Sequence, residues 1–127
     1  MDLRDYTHTE IINGRPCSYN KLYRDKLATI DSALLSDESP ETQEKVLNWI
    51  KENLYPRKTP LWECTSYGLK HALANDTGIY LTHNAFKDAM LKCGFEPHDS
   101  KEFNWVFGIS KKSPVFTKNN PPRGRRY

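Results

Sequence analysis

The sequence predicts a mainly α-helical fold with a small β-hairpin, and three observations support this prediction. Apolar residues recur at three- and four-residue spacing in several stretches, which is the pattern of amphipathic helices. Residues 65–95 contain two such stretches around a short connection that includes Gly78. Strict alternation of side chains follows over residues 103–110 and indicates a strand. Helix, turn, helix and strand in this order outline a helix-turn-helix with a wing.

The composition limits both the size of the core and the class of protein. The 127 residues suffice for one domain, and 12% of them are aromatic, so rings must supply much of the core volume. No apolar run reaches the length of about 18 residues that a membrane span needs, and no signal sequence precedes the first charges. Three cysteines without a Cys-x-x-Cys pair favour reduced thiols. We therefore expect a soluble, cytoplasmic protein without membrane contact.

The first half of the chain is predicted to form an irregular lead-in and two supporting helices. Residues 1–17 mix charges, threonines, Asn-Gly and a proline, and predict no regular element. A helical stripe of tyrosines and leucines begins at residue 18 and reaches Leu34. Ser39 followed by Pro40 then marks the start of a second helix, over residues 41–54. The acidic residues around this start either complement the helix dipole or form a patch for a protein partner.

Hydroxyl side chains predict where the two central helices begin. Thr65 and Ser66 are suited to cap the first helix, and Thr82 to cap the second, which extends to residue 93. Gly94 followed by Phe95 is typical of a left-handed helix terminus with an apolar return contact. Trp62 lies just before the first cap. This position is more typical of a core residue that staples the chain to its helix than of a platform for a nucleobase.

The last part of the sequence predicts the wing and the tail. Phe103, Trp105, Phe107 and Ile109 share the apolar face of the alternating strand. A basic turn then leads to residues 115–117, the candidate return strand. We thus predict one helical domain over residues 18–117 with its winged helix-turn-helix at 62–117. A basic, disordered tail is predicted over residues 118–127.

Charge is distributed unevenly along the chain. The formal net charge is +3, yet residues 111–127 contain six basic residues and no acidic one, so the remainder is mildly acidic. A basic tail favours a polyanionic partner, and nucleic acid is the usual one. A disordered end that only improves solubility has the same composition.

The sequence contains no pattern typical of an enzyme or of a cofactor site. Cys64, His71, His83 and Cys93 are zinc-ligand types, but their spacings match no compact zinc module. The acidic pairs have no neighbouring histidine, and no glycine-rich phosphate-binding motif is present. We therefore expect a binding protein and not an enzyme, with no metal and no cofactor.

We predict that the second central helix, residues 82–93, reads DNA. Its buried stripe would leave His83, Asn84, Lys87 and Lys92 outward, together with Asp88, whose charge disfavours contact with phosphate. An ordinary solvated helix face would carry the same lysines. Further candidates for phosphate contact lie on the connector, the first central helix, the wing turn and the tail. These candidates are Arg57, Lys58, Tyr67, Lys70, Lys111, Lys112, Arg123, Arg125 and Arg126.

The motifs SYGLKHAL, DTGIYLTHNAFKDAMLKCGF and NWVFGIS give the chain a family resemblance. Together they resemble a unit of small proteins from phages and integrative elements of Gram-positive bacteria. The layout over residues 62–112 is similar to the winged-helix domain at the C-terminus of phage and poxvirus-type primase-helicases. The resemblance implies a stand-alone winged helix-turn-helix from a mobile element, without the helicase and without its activity.

Functions of different classes fit this sequence. The first is a non-enzymatic accessory or regulatory protein of a phage or mobile element that binds DNA or another nucleic acid. The alternative is a protein inhibitor of a host nucleic-acid enzyme, such as an anti-CRISPR protein on a CRISPR effector nuclease. In that case the acidic residues 37–44 would face a basic groove, and the tail would meet the guide RNA. A structural role in a larger assembly is a third reading, and the oligomeric state is not indicated.

Overall fold

The protein is mainly helical, as predicted. The computed structural model describes residues 10–12, 15–17, 33–99, 102 and 104–117. Within these residues lie three α-helices, two short strands and two 3₁₀ helices. The α-helices are α1 (Pro40–Asn53), α2 (Ser66–Thr77) and α3 (His83–Lys92); the strands are β1 (Glu10–Ile12) and β2 (Arg15–Cys17); the 3₁₀ helices are Leu35–Asp37 and Pro114–Thr117.

Strands β1 and β2 form an antiparallel pair in a segment that we predicted to be irregular. Glu10 lies opposite Cys17, and Ile12 lies opposite Arg15. The two positions between the strands in sequence are Asn13-Gly14, the dipeptide most typical of a two-residue hairpin turn. In the sequence, this dipeptide is therefore the local signal for the strand pair. The predicted first helix, from residue 18, and the predicted tail, residues 118–127, lie outside the described residues.

Helix α1 confirms the predicted second helix. The Ser39 hydroxyl accepts a hydrogen bond from the Thr42 amide at 3.2 Å, and Pro40 occupies the first helical position, where its missing N–H costs nothing. Val46, Trp49 and Ile50 are buried on its inner face. The Trp49 indole also donates to Asp76 Oδ2 of α2 at 2.6 Å, so a polar contact reinforces the packing of the two helices.

Helices α2 and α3 begin at the caps that the sequence predicts. Thr65 accepts from the Gly68 amide, and Thr82 accepts from the Ala85 amide. Gly78 and Gly94 follow the two helices with φ of 77° and 87°, a left-handed conformation that favours glycine. Helix α3 contacts α1, α2 and the 3₁₀ helix Leu35–Asp37, and so occupies the middle of the fold.

The alternating segment at residues 104–110 pairs on two sides but does not form the predicted wing. On one edge Arg57 N donates to Gly108 O at 3.0 Å and His98 N donates to Val106 O at 2.8 Å. On the other edge Leu61 N donates to Phe107 O at 3.0 Å and Ser66 N donates to Trp105 O. Because both edges are used, neither remains for a return strand. Trp105, Phe107 and Ile109 are fully buried, as the alternation predicts, and Phe103 lies outside the described residues.

The predicted return strand at residues 115–117 is wrong. These residues belong to the 3₁₀ helix Pro114–Thr117, in which Phe116 N donates to Ser113 O at 3.1 Å. The Ser113 side chain accepts from Tyr55 N at 2.8 Å and donates to Ser110 O at 2.6 Å, which folds the chain back on itself. Proline at the next position suits the start of a helical turn and cannot donate to a strand ladder.

Candidate nucleic-acid interface

The helix that we predicted to read DNA is buried along almost its whole length. Every residue from position 83 to 91 is buried, including His83 at 9% exposure and Asn84 and Lys87 at 0%. Side chains without accessible surface cannot reach base edges in a groove. The assignment of these three residues to DNA recognition is therefore wrong, and Lys92 is the one predicted contact on α3 that remains exposed.

The polar side of α3 is covered by groups from distant parts of the chain. Asn84 Nδ2 donates to the carbonyl of Ala33 at 2.8 Å. Asp88 accepts the Leu35 amide at 3.0 Å and both hydrogen bonds of Lys92, at 2.9 and 2.8 Å. A helical wheel shows the contact of Asp88 with Lys92 but not those with Ala33 and Leu35, which lie about 50 positions away in sequence and are brought close only by the tertiary fold.

Lys87 packs in the same interior. Its Nζ lies 4.6 Å from the centroid of the Trp105 ring, a geometry in which an ammonium group is attracted to the aromatic face. The side chain is fully buried. Lys87 therefore acts in the structure of the domain, and not as a solvated cation on its surface.

His83 forms a buried pair with Ser66. The two residue types occur together in catalytic dyads, but a substrate cannot reach this pair. Ser66 Oγ lies 2.6 Å from His83 Nε2, accepts the Trp105 amide at 2.9 Å and donates to Asn104 Oδ1 at 3.2 Å. Burial, with the charges of Lys87 and Lys70, lowers the pKa of His83 to about 3. The imidazole is thus neutral at physiological pH. The pair joins α2, α3 and the 104–110 segment.

Cys64 is a core residue, and Cys93 is half-buried against the core. Burial raises the pKa of Cys64 to about 12, with the charge of Glu63 adding to the effect. Burial also raises the pKa of Cys93, whose Sγ lies 3.8 Å from the Leu47 carbonyl. A thiol that stays protonated is a poor nucleophile and a poor metal ligand. Among the described residues, no group of three or more His, Cys, Asp and Glu side chains is arranged to hold a metal ion.

Several predicted phosphate contacts do lie on the surface. Lys58, Lys111 and Lys112 are exposed, and Lys70 is half-buried with its Nζ 5.4 Å from the centroid of the Tyr67 ring. The ring of Tyr67 in turn meets His71 edge to face at 4.5 Å. Arg123, Arg125 and Arg126 lie outside the described residues.

Helix α2 does not offer its N-terminal amides to an anion. Ser66 N donates to Trp105 O at 2.6 Å, Tyr67 N donates to Asn104 Oδ1 at 3.0 Å, and Gly68 N donates to Thr65. These bonds satisfy the first amides from within the fold. Any contact of α2 with a phosphate must therefore come from the side chains of Tyr67 and Lys70.

A concave surface of about 400 Å³ brings together the two cations of the connector. We call it the connector groove. Arg57 is held in place because its guanidinium donates to the carbonyls of Thr59 at 2.9 Å and Pro60 at 2.8 Å. Lys58 is exposed beside it, and His98 also lines the groove. The groove is lined by Pro56, Arg57, Lys58, Pro60, Gly94, Phe95, Glu96, Pro97, His98 and Gly108.

A second concave surface, of about 360 Å³, shares His98 with the first. We call it the Trp62 groove, and its lining consists of Trp62, His98, Asp99, Glu102, Asn104 and Val106. Trp62 is 49% exposed, so the expectation that it packs into the core is wrong. The rings of Trp62 and His98 lie nearly perpendicular, with centroids 4.9 Å apart. Sequence reasoning missed His98 altogether, since it lies in a turn and gains its neighbours only from the fold.

No protein-family model, no curated protein and no solved structure with which we compared the chain matches it. The resemblance to winged-helix proteins of mobile elements therefore stays a prediction. Among the helices in the described part of the chain, none is long and apolar enough to cross a membrane.

Proposed function

We propose that the chain is a non-enzymatic nucleic-acid-binding protein that contacts phosphates from the connector groove. We infer an accessory or regulatory role inside a bacterial host, in a phage or mobile element. The observation that carries this proposal is that Arg57, Lys58 and His98 line one concave surface beside an exposed tryptophan. Arg57 is pre-oriented by two carbonyl contacts, so little side-chain entropy is lost when it meets a phosphate.

The helix-turn-helix enters this proposal in a modified form. Helices α2 and α3 keep the order and the short connection of that motif. The proposed contact surface, however, is the connector that precedes α2 and not helix α3, which is buried. Contacts of this kind follow the phosphate backbone and carry no sequence information by themselves. We therefore expect binding that depends weakly on sequence and strongly on salt.

We propose no catalytic role for the serine, histidine and cysteine side chains of the interior. Ser66, His83 and Cys64 are the nucleophile and base types that an enzyme would use, and all three are buried. A buried, neutral His83 next to Ser66 cannot meet a substrate without opening of the fold.

Titration of binding against salt tests the proposal. The full chain is titrated into fluorescein-labelled 20-mer DNA and RNA at several salt concentrations, and the slope of log Kd against log salt is measured. The slope for Lys58→Gln should fall by about one phosphate equivalent relative to the unmodified protein. Lys45→Gln is the matched control, because Lys45 is also exposed and lies on α1, where it contacts Glu41 at 3.3 Å.

Two results would contradict the proposal. The first is an absence of binding to every nucleic acid at low salt. The second is an equal change of slope in Lys58→Gln and Lys45→Gln, since the effect would then reflect net charge and not the connector groove. The triple variant Arg123→Gln, Arg125→Gln and Arg126→Gln separates the contribution of the tail from that of the groove.

A second candidate function is favoured by the acidic surface at the start of α1. Asp37, Glu41 and Glu44 are exposed there, next to the half-buried Glu38. A protein inhibitor that occupies the basic groove of a host nuclease needs such a surface, because complementary charge directs the encounter. Affinity capture from host lysate, before and after nuclease digestion, tests it. A stoichiometric protein partner that survives digestion and is lost in Glu41→Lys plus Glu44→Lys supports the inhibitor.

A further inference from the structure

We propose that the nucleic acid is single-stranded and that one of its bases stacks on Trp62 while the adjacent phosphate enters the connector groove. This inference rests on the proposed function and names its ligand class. The Trp62 groove and the connector groove adjoin at His98, which lines both. A nucleotide has the same arrangement of parts, with a flat ring at one end and an anion at the other.

The indole of Trp62 differs from the two other tryptophans in its position. Trp49 and Trp105 are buried at 5% and 0% exposure, whereas about half of Trp62 is open to solvent. Its turn is fixed, since Cys64 N donates to Leu61 O at 2.8 Å and Leu61 is bonded to the 104–110 segment. The contact with His98 further limits rotation of the ring. A rigid, exposed aromatic ring beside a cationic groove is how proteins bind single strands without sequence preference.

The lining of the Trp62 groove also includes groups suited to a base edge. Asn104 Oδ1 is already engaged by Ser66 and by the amide of Tyr67. This leaves the amide nitrogen of Asn104 as a donor to a base carbonyl. Glu102 is an exposed carboxylate that can accept from the exocyclic amino groups of bases, and Asp99 adds a second negative charge to the groove.

The same carboxylates determine the orientation of the bound nucleotide. Asp99 and Glu102 repel phosphates, whereas the connector groove attracts them, because Arg57 and Lys58 outweigh Glu96 among its lining residues. The backbone is therefore directed to the connector side of His98, and the base to the carboxylate side. A cationic partner would fit the carboxylates alone, but it would be repelled by the connector groove next to them.

A duplex does not suit this surface. Its bases are stacked and paired, and only their edges face the grooves. A concave site of about 360 Å³ is of small-molecule size and admits a single unstacked base. Recognition of splayed bases by stacking on aromatic side chains is characteristic of single strands and loops.

Trp62→Ala and Trp62→Phe, compared with the unmodified protein, test the inference. Fluorescein-labelled oligo(dT) 12-mer and a 12-base-pair duplex are the probes, and anisotropy gives Kd. We expect Trp62→Ala to weaken binding to the 12-mer by about 10- to 100-fold, and Trp62→Phe to retain most of the affinity. Duplex binding should not change. Tyr80→Ala is the matched control, because Tyr80 is 83% exposed on the α2–α3 connection.

Intrinsic fluorescence gives a second readout on the unmodified protein. Because Trp49 and Trp105 are buried, quenching by an unlabelled 12-mer reports on Trp62. We expect quenching by the single strand and little by the duplex. This measurement does not depend on whether a variant folds, and circular dichroism checks the variants separately.

The outcomes separate this inference from the proposed function. If the protein binds nucleic acid but Trp62→Ala and Tyr80→Ala have the same Kd for the 12-mer, the stacking site is overturned and phosphate contact remains. The same conclusion follows if the 12-mer binds without quenching tryptophan fluorescence. Absence of all nucleic-acid binding at low salt overturns both. A protein partner that is lost in Trp62→Ala, without any affinity for nucleic acid, overturns the inference and shows that the Trp62 groove binds a protein.

Discussion

Lowering the pH from 7 to 5 should destabilise the domain through His83. The imidazole lies 2.6 Å from the Ser66 hydroxyl and is buried with Lys87 and Lys70 in its surroundings. Desolvation and these two charges disfavour the imidazolium, so the pKa falls from 6.5 in the unfolded chain to about 3 in the folded protein. Between these values the unfolded chain binds a proton that the folded chain does not, and stability is lost as the pH falls.

The expected loss follows from these two pKa values. Above pH 6.5 His83 is neutral in both states and has no effect on the pH dependence of stability. Below it, the free energy of unfolding falls by about 1.4 kcal/mol for each pH unit until the folded pKa is reached. Between pH 7 and pH 5 the contribution of His83 is therefore about 2 kcal/mol, a large share of the stability of a small domain.

Urea denaturation of the unmodified protein and of His83→Gln, each at pH 7 and pH 5, measures this contribution. All other titratable groups are common to both proteins, so the difference between their pH-induced losses isolates His83. The unmodified protein should lose about 2 kcal/mol more than the variant. His71→Gln is the control: burial and the charge of Lys70 also lower the pKa of His71, but this side chain is exposed, so its removal should reduce the pH-induced loss less than His83→Gln does. Equal losses in the unmodified protein and His83→Gln would refute a buried, neutral imidazole.

Three further predictions concern the packing of the domain. Gly108→Ala should cost about 1–3 kcal/mol in urea denaturation, because a Cβ there would overlap the backbone carbonyl of Arg57; unchanged stability would mean that the connector is less closely paired. Asp76→Ala should cost about 1.5–3 kcal/mol through loss of the 2.6 Å bond from Trp49, seen as a lower thermal midpoint, and an unchanged midpoint would discount this bond. Cys64 should resist an aromatic disulfide reagent at pH 8 until urea unfolds the chain, as mass mapping of the labelled peptide will show. Rapid labelling of native Cys64 would contradict its burial.

Helix boundaries and the mainly helical class could be read from the sequence because their signals are local. Ser39, Thr65 and Thr82 each cap a helix with a hydroxyl that accepts the amide three residues further along the chain. Gly78 and Gly94 adopt the left-handed conformation that closes α2 and α3. The alternation that ends in Ile109 likewise predicted which side chains of that segment are buried.

The candidate site could not be read in the same way, because exposure is a property of the assembled fold. Periodicity gave α3 a polar outer face, but Ala33, Leu35 and Trp105 cover that face. Proximity to a helix start suggested that Trp62 is buried, yet the connector turns it toward solvent beside His98. In both cases the deciding contacts join residues at least 18 positions apart, beyond the reach of any local pattern.

The sequence by itself determined where α1, α2 and α3 begin and end, since caps, glycines and prolines act through bonds to their near neighbours. It also identified the phosphate-contact candidates Lys58, Lys111 and Lys112, because charged side chains without a partner in the core remain at the surface. Only the tertiary structure decided that α3 is the buried centre of the domain. The reason is that its polar side chains form hydrogen bonds with residues far away in sequence, and these bonds offset the free-energy cost of burying polar groups. The exposed groups that can meet a ligand therefore lie on the connector and at Trp62.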